Sequence, residues 1–244
     1  MAYSEGMNSL EKLKEIVSEN RTLRLIEDGI YSVLEEAPHN HLCDRRATVY
    51  DLVVGTRLYN RLMWGTSPSD YVMFARRAIE SQGLHLDAGC GSLLFTARAY
   101  TESRRQIIAF DQSLEMLRRA RKRLLKLSGS APSHVVLLQA DLNDLPFRSQ
   151  SFSTILCLNV LHQFASAAEL INNLNTLLAG GGHLYLTSLI TNNRAMGDSY
   201  LKALYKAGEF VRPRSSEELK KLLDESLNQR LNYRTKGNMA FVEL

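Results

Sequence analysis

The sequence predicts an α/β protein on a doubly wound, mainly parallel seven-stranded sheet, with an N-terminal helical extension and a C-terminal antiparallel hairpin. Three observations carry this. From Gln82-Gly83 onward, short apolar runs alternate with helical segments, the texture of strand–crossover–strand units. The first run, Leu84–Ala88, opens into the turn Gly89-Cys-Gly91. The chain closes on two short runs, Arg230–Arg234 and Met239–Leu244, flanking Lys236-Gly237-Asn238, the pattern of a hairpin.

Residues 8–36 read as helix. Leu10, Leu13, Ile16 and Val17 share one face, and Leu23, Ile26, Ile30 and Val33/Leu34 repeat the spacing. Pro38 stops the pattern, and 38–44 reads as a loop. Its His39, His41 and Cys43 crowd into five positions with no second cluster, so no metal site is expected. Residues 48–81 are helical again, interrupted near Gly65-Thr-Ser-Pro68, and carry Tyr50, Tyr59, Trp64 and Tyr71. Rings at such density pack helices onto a neighbouring core. Residues 1–80 thus form an accessory segment, and 81–244 the main domain.

Within that domain the strand candidates are Leu84–Ala88, Gln106–Phe110, Val135–Gln139, Phe152–Leu158 and His183–Ser188. Helices fall at about 93–103, 113–127 and 166–179. Ser166-Ala-Ala-Glu169 and Ser215-Ser-Glu-Glu218 have capping-box spacing, and Gly180-Gly-Gly182 reads as the stop of the third helix.

Composition bounds the function. The chain is 244 residues long, 45% hydrophobic and 23% charged, ordinary for a globular protein with a real core. No stretch approaches the roughly 18 apolar residues of a membrane span. The N-terminus lacks the apolar core of a secretory signal, so a cytoplasmic location is expected. Cys43, Cys90 and Cys157 are odd in number and unrelated in spacing, which suggests no disulfide framework. A net charge of +4 is mild and does not argue for nucleic acid. The basic run Arg118–Arg123 shares its segment with the apolar stripe Leu114, Leu117, Ala120, Leu124 and Leu127, and so reads as the outer face of an amphipathic helix.

The site-bearing signal is the first strand–helix junction. Asp87 ends the strand, and Gly89 and Gly91 let the backbone turn sharply and approach a ligand. Asp111 follows 20 residues after Gly91, at the end of the second strand, where a carboxylate can accept both hydrogen bonds of a ribose diol and would repel a 2′-phosphate. Asp141 ends the third strand, placed to accept from an adenine amino group. Ligands of open α/β sheets bind at this carboxyl edge, so an adenosine moiety is expected there.

These residues resemble the class I S-adenosylmethionine-dependent methyltransferases over about residues 80 to 190. Leu86-Asp-Ala-Gly-Cys-Gly91 is similar to the family's first motif and Ala109–Met116 to its second. Gln139–Phe147 with Ser151-Phe152 is similar to its adenine loop, and Ile155–His162 to the strand ending beside the methyl group. The resemblance implies a Rossmann-like fold, S-adenosylmethionine as cofactor, and methyl transfer by in-line displacement. It implies Gly89 and Gly91 against the methionine portion, Asp87 at its amino or carboxylate end, and Asp111 with its neighbour Gln112 at the ribose. Asp141 with the Leu142 amide would hold the adenine, and the Asn159 backbone the amino group. The family often has a third glycine where this chain has Leu93. More loosely, Tyr50–Trp64 is similar to the N-terminal cover of small-molecule methyltransferases, implying a lid and acceptor pocket from Tyr50, Tyr59 and Trp64, whose ring faces attract a sulfonium.

His162 is the one titratable residue suited to act as a base near neutral pH. No Asn-Pro-Pro-Tyr or Asp-Pro-Pro-Tyr sequence is present, which counts against amino-group methylation of nucleic-acid bases, and no Pro-Cys pair, so a cysteine-nucleophile route to 5-methylcytosine is unsupported. The expectation is an enzyme methylating a small organic acceptor. The alternatives are an RNA methyltransferase, or a protein that binds S-adenosylmethionine without transferring its methyl group.

Overall fold

In a computed structural model, which describes residues 8–35, 53–208, 210–227 and 231–244, the apolar runs become the centre of a nine-stranded sheet ordered β1-β2-β5-β4-β3-β6-β7-β9-β8. The strands are β1 (Arg24–Glu27), β2 (Ile30–Ser32), β3 (His85–Ala88), β4 (Ile107–Asp111), β5 (Val135–Gln139), β6 (Phe152–Cys157), β7 (Leu178–Leu189), β8 (Asn232–Lys236) and β9 (Met239–Glu243). From β2 through β7 every pairing is parallel, and β1, β9 and β8 add antiparallel edges. The helices are α1 (Ser9–Ile16), α2 (Pro68–Ala78), α3 (Ala97–Glu102), α4 (Leu114–Ser128), α5 (Ala167–Thr176), α6 (Ala195–Lys206) and α7 (Ser216–Ser226).

Alternation along the central strands sorts the core into two layers. Ile108 and Phe110 pack with Leu13, Ile171 and Leu223 on one face. Ile107 and Ala109 pack with Leu93, Tyr100, Leu117 and Leu124 on the other. Further along that second face, Leu156, Tyr185 and Phe241 meet Trp64, Tyr71, Phe74 and Leu201. The α4 helix shows how local chemistry fixes an element. Ser113 caps it by accepting from the Met116 amide at 3.2 Å, and Gly129 ends it in the left-handed region at φ 75°. The Ser215–Glu218 capping box forms as expected.

Three expectations are corrected. Residues 24–32 are not helix: β1 and β2 form a hairpin about Asp28-Gly29, with Gly29 at φ 74°. The Asp-Gly turn and the strand-favouring isoleucines outweigh the helical spacing. This hairpin extends the sheet by pairing β2 with β5, so the N-terminal extension is only partly helical and the sheet has nine strands rather than seven. Gly180–Gly182 do not stop a helix. They lie inside β7, where the register with β6 shifts between Phe152 and Thr154, and α5 already ends at Thr176 without a side-chain cap from Ser166. Tyr50 and the His39, His41, Cys43 group lie outside the described residues. Among the described residues no helix is long and apolar enough to cross a membrane.

Candidate functional site

The glycine turn is built from backbone upward. Beyond β3, the Cys90 amide donates to the Phe110 carbonyl at 2.9 Å, locking the turn to β4. Asp111 clamps it from the side: its Oδ2 accepts from the Gly91 amide at 2.8 Å and its Oδ1 from the Ser113 amide at 2.9 Å. The two glycines do different work. At Gly89 (φ 71°) a Cβ would lie 2.7 Å from Val160 Cγ2 and 3.1 Å from Leu142 Cδ1, so close packing requires its absence. At Gly91 (φ 52°) a Cβ would meet nothing within 4 Å, which leaves bare backbone facing open space. Leu93 sits at φ 54°, a conformation costing roughly 1–2 kcal/mol for a residue with a Cβ. Its side chain is fully buried among Ala97, Tyr100 and Leu117, in the helix–sheet core and away from the turn's mouth.

The acids differ in what holds them. Asp87 is buried, and burial pushes its carboxyl up to about 7 against the Tyr100 and Thr96 hydroxyls, with the Asp111 charge adding to the rise. Burial also raises Asp111, opposed by the Ser113 and Gly91 amides. Asp141 caps its own turn: Oδ1 accepts from the Asn143 amide and side chain at 2.9 and 3.0 Å, and Oδ2 from Gln112 Nε2 at 3.4 Å. Asn159 adopts φ 58°. Its amide donates to Thr187 Oγ1 at 2.8 Å, the Thr187 hydroxyl donates back to its Oδ1 at 3.0 Å, and Gln163 Nε2 reaches its carbonyl at 3.2 Å.

His162 lies in the short helical turn Leu161–Gln163, almost fully buried. Its Nδ1 accepts from the Leu189 amide at 3.3 Å, which leaves the hydrogen on Nε2. Burial, with the Arg214 charge beside it, holds its pKa down to about 3. A ring so placed is neutral and offers a donor, and this geometry weighs against the base expected from the sequence. Burial pushes the thiols of Cys90 and Cys157 upward, away from nucleophilic thiolates.

Tyr59 and Trp64 come together at 6.0 Å between ring centroids, and both meet Tyr200 of α6, at 6.3 and 5.4 Å. Phe95 stacks on Tyr71 at 4.7 Å, and Phe210 stands edge-on to His162 at 4.7 Å. Sequence reasoning missed Tyr200, Phe95 and Phe210, because no local pattern marks rings that meet across the fold. It also missed His85, Tyr100 and Thr154, which lie in buried runs and bond to one another beneath Asp87. The basic run is engaged within the molecule. Arg118 pairs with Glu27 at 3.0 Å, Arg119 with Glu115 at 3.0 Å, and Arg121 with Asp28, while Arg123 donates to Ser92 Oγ at 2.8 Å beside the glycine turn. Among the described residues no group of three or more His, Cys, Asp or Glu could hold a metal ion.

The carboxyl edge of β3, β4, β5 and β6 therefore gathers the glycine turn, Asp87, Asp111, Asp141 and Asn159 on one rim. Residues 86–186 match the family model of a methyltransferase domain. This stretch is a methyltransferase domain. A malonyl-[acyl-carrier protein] O-methyltransferase of Legionella pneumophila is 29% identical over 137 residues, covering 56% of this chain and 42% of the relative. A tRNA U34 carboxymethyltransferase of Saccharophagus degradans is 25% identical over 146 residues, covering 60% of this chain and 42% of the relative. The chain thus matches about two-fifths of the length of these curated relatives. The solved structure of a SAM-dependent methyltransferase from Thermotoga maritima superimposes with a TM-score of 0.61 at 17% identity, covering 83% of this chain and 97% of that one. The methyltransferase domain's strand order and closing hairpin are those of a Rossmann-like fold.

Proposed function

We propose that the chain binds S-adenosylmethionine at the β3–β6 rim and methylates a small organic acceptor. The observation that carries this is the Asp111–Gly91 clamp beside an open glycine backbone. It fixes a carboxylate beside bare main chain, which supports a ribose and a methionine tail bound side by side. Each carboxylate oxygen accepts more than one hydrogen bond, so the Gly91 and Ser113 amides leave Asp111 capacity for a diol, with Gln112 alongside. Asp87 would pair with the amino group, Asp141 and the Leu142 amide would hold the adenine, and the Asn159 carbonyl would take part in holding the amino group. Gly91, where a Cβ would stand in open space, keeps a side chain out of the cofactor's path, and Gly89 would let the turn close against Val160 and Leu142 beside the methionine portion.

When bound, the cofactor supplies an activated methyl group. The protein's task is then to aim the acceptor in line and keep water out. Tyr59 and Trp64, with Tyr200, would wall the acceptor pocket. Within residues 1–80 the part at 53–80 would act as this cover on the domain of residues 81–244, with Tyr50 a further candidate, while β1 and β2 extend the sheet. His162 would orient the acceptor through its Nε2–H. With no base there, the favoured acceptor is one whose attacking atom has a free lone pair at neutral pH, such as a carboxylate oxygen. The Legionella relative's name, an O-methyltransferase, supports that class. The tRNA-modifying relative favours a nucleic-acid acceptor, but the internal pairing of Arg118, Arg119, Arg121 and Arg123 speaks against a basic surface there. A cytoplasmic location belongs to the same proposal, supported by cysteines Cys90 and Cys157 that are free.

The test is methyl release from labelled cofactor over a panel of carboxylates, phenols, amines and transfer RNA. Turnover with a small carboxylate and none with RNA supports the proposal. Turnover on RNA alone, with a steep salt dependence, overturns it.

A further inference from the structure

We propose that Thr154, His85 and Tyr100 are positioning residues: a buried one-directional hydrogen-bond chain beneath the glycine turn that favours the ionised form of Asp87 and aims it at the cofactor's amino group. This rests on reading the rim as a cofactor site. The geometry is continuous. His85 and Thr154 are direct register partners on β3 and β6, with Thr154 Oγ1 2.7 Å from His85 Nδ1. His85 Nε2 stands 3.1 Å from the Tyr100 hydroxyl on α3, which donates to Asp87 Oδ2 at 2.8 Å. All four residues are at most 1% exposed.

Counting hydrogens fixes the direction. Tyr100 has one hydroxyl hydrogen and gives it to Asp87, so it must accept from His85 Nε2–H. The neutral ring then has a lone pair on Nδ1, which accepts from the Thr154 hydroxyl. Every donor points toward the carboxylate. If Asp87 takes up its proton on Oδ2, the oxygen that faces Tyr100, the order reverses: Asp87 donates to Tyr100, Tyr100 to His85 Nε2, and Nδ1–H to Thr154. The balance closes through the chain itself. One proton enters at Nδ1, the Nε2 hydrogen passes to Tyr100, and the Tyr100 hydrogen passes to Asp87. With the proton on Oδ2, the His85 tautomer reports the charge on Asp87.

The surroundings set the balance near neutrality. Asp111 at the end of β4 disfavours a second negative charge, while the Tyr100 and Thr96 hydroxyls favour it. Cys90 in the turn and Cys157 on β6 stay neutral beside Asp87. Burial, with the Arg105 guanidinium adding, keeps His85 uncharged.

The experiment is nitrogen NMR of the His85 ring in the cofactor-free protein across pH 5 to 9, paired with calorimetric titration of S-adenosylmethionine over the same range. An Nε2–H tautomer at high pH giving way to Nδ1–H near pH 7, with the midpoint moved at least one unit lower by cofactor, supports the proposal. Tyr100→Phe should uncouple the tautomer from pH and move the midpoint of cofactor binding up by about one unit. Thr154→Val, nearly the same shape, should give a smaller shift and guards against a folding artefact. Unchanged tautomer and binding profiles in both variants, with normal wild-type affinity, would overturn it. No wild-type binding at any pH would instead overturn the reading of the rim, and with it the cofactor half of this inference, while the tautomer titration still reports the chain.

Discussion

The two halves of the sheet's second face are built from opposite chemistry. Around β3, β4 and β5 the rim is polar: three aspartates, an open glycine turn and a buried hydrogen-bond chain that ends on Asp87. Around β6, β7 and β9 it is aromatic, with Trp64, Tyr71, Phe74, Tyr185 and Phe241 in one cluster and Tyr59, Phe95, Tyr200 and Phe210 along its margin. The polar half gives up stability by burying groups that, on the proposed reading, would hold a charged nucleoside. The aromatic half supplies burial and a dry wall. A proposed transfer between a sulfonium and a small nucleophile needs both, side by side.

If the aromatic half is chiefly structural, the largest effect lies there. Trp64→Ala removes a ring that is 5% exposed and should cost about 3–5 kcal/mol of unfolding free energy. Chemical denaturation measures it, and a loss under 1 kcal/mol would show Trp64 to be a free lid rather than core. The polar half should behave in the opposite sense. Asp87 keeps its proton to about pH 7 when folded, against an ordinary value of 3.8. The unfolded chain therefore releases that proton first, and stability falls as pH rises through this window. Removing the charge with Asp87→Asn should stabilise the protein at pH 8, by up to ~4 kcal/mol, with no gain at pH 3.5, while cofactor affinity drops. A variant less stable at pH 8 would contradict the account.

A smaller effect is expected at the boundary between the halves. With His162 held at about 3, the kcat profile should show no limb near pH 6.5. His162→Asn keeps an acceptor for the Leu189 amide and should retain activity within about tenfold, less than 1.4 kcal/mol. A thousandfold loss together with a vanished acid limb would make His162 a base after all. The stability sign is fixed separately: a histidine kept neutral by burial lowers stability as pH falls from 6.5 toward 3.

The polar half was also the legible half. Asp87, Gly89, Gly91, Asp111 and Asp141 announce themselves because strand-end acids and a glycine turn are local patterns, and the central strands follow from short apolar runs. The hairpin at 24–32 was hidden because its isoleucines satisfy helical spacing, and the decisive Asp28-Gly29 turn is only two residues long. The glycines of β7 read as a helix stop because a bulge is defined by its partner strand. His85 facing Thr154, and Tyr200 against Trp64, depend on register and packing between distant segments, which no local window contains. Leu93 breaks the expected glycine pattern without opening the core, because its side chain turns inward while its backbone keeps the left-handed conformation.

The most direct test of the central claim is calorimetric titration of S-adenosylmethionine into the wild-type chain and Asp111→Ala, with a nicotinamide dinucleotide as control. Losing a clamp that carries about 3 kcal/mol of charged hydrogen bonding should weaken S-adenosylmethionine roughly 100-fold and leave the wild-type chain indifferent to the dinucleotide. Equal affinity in both proteins, or binding of the dinucleotide in place of S-adenosylmethionine, would contradict it.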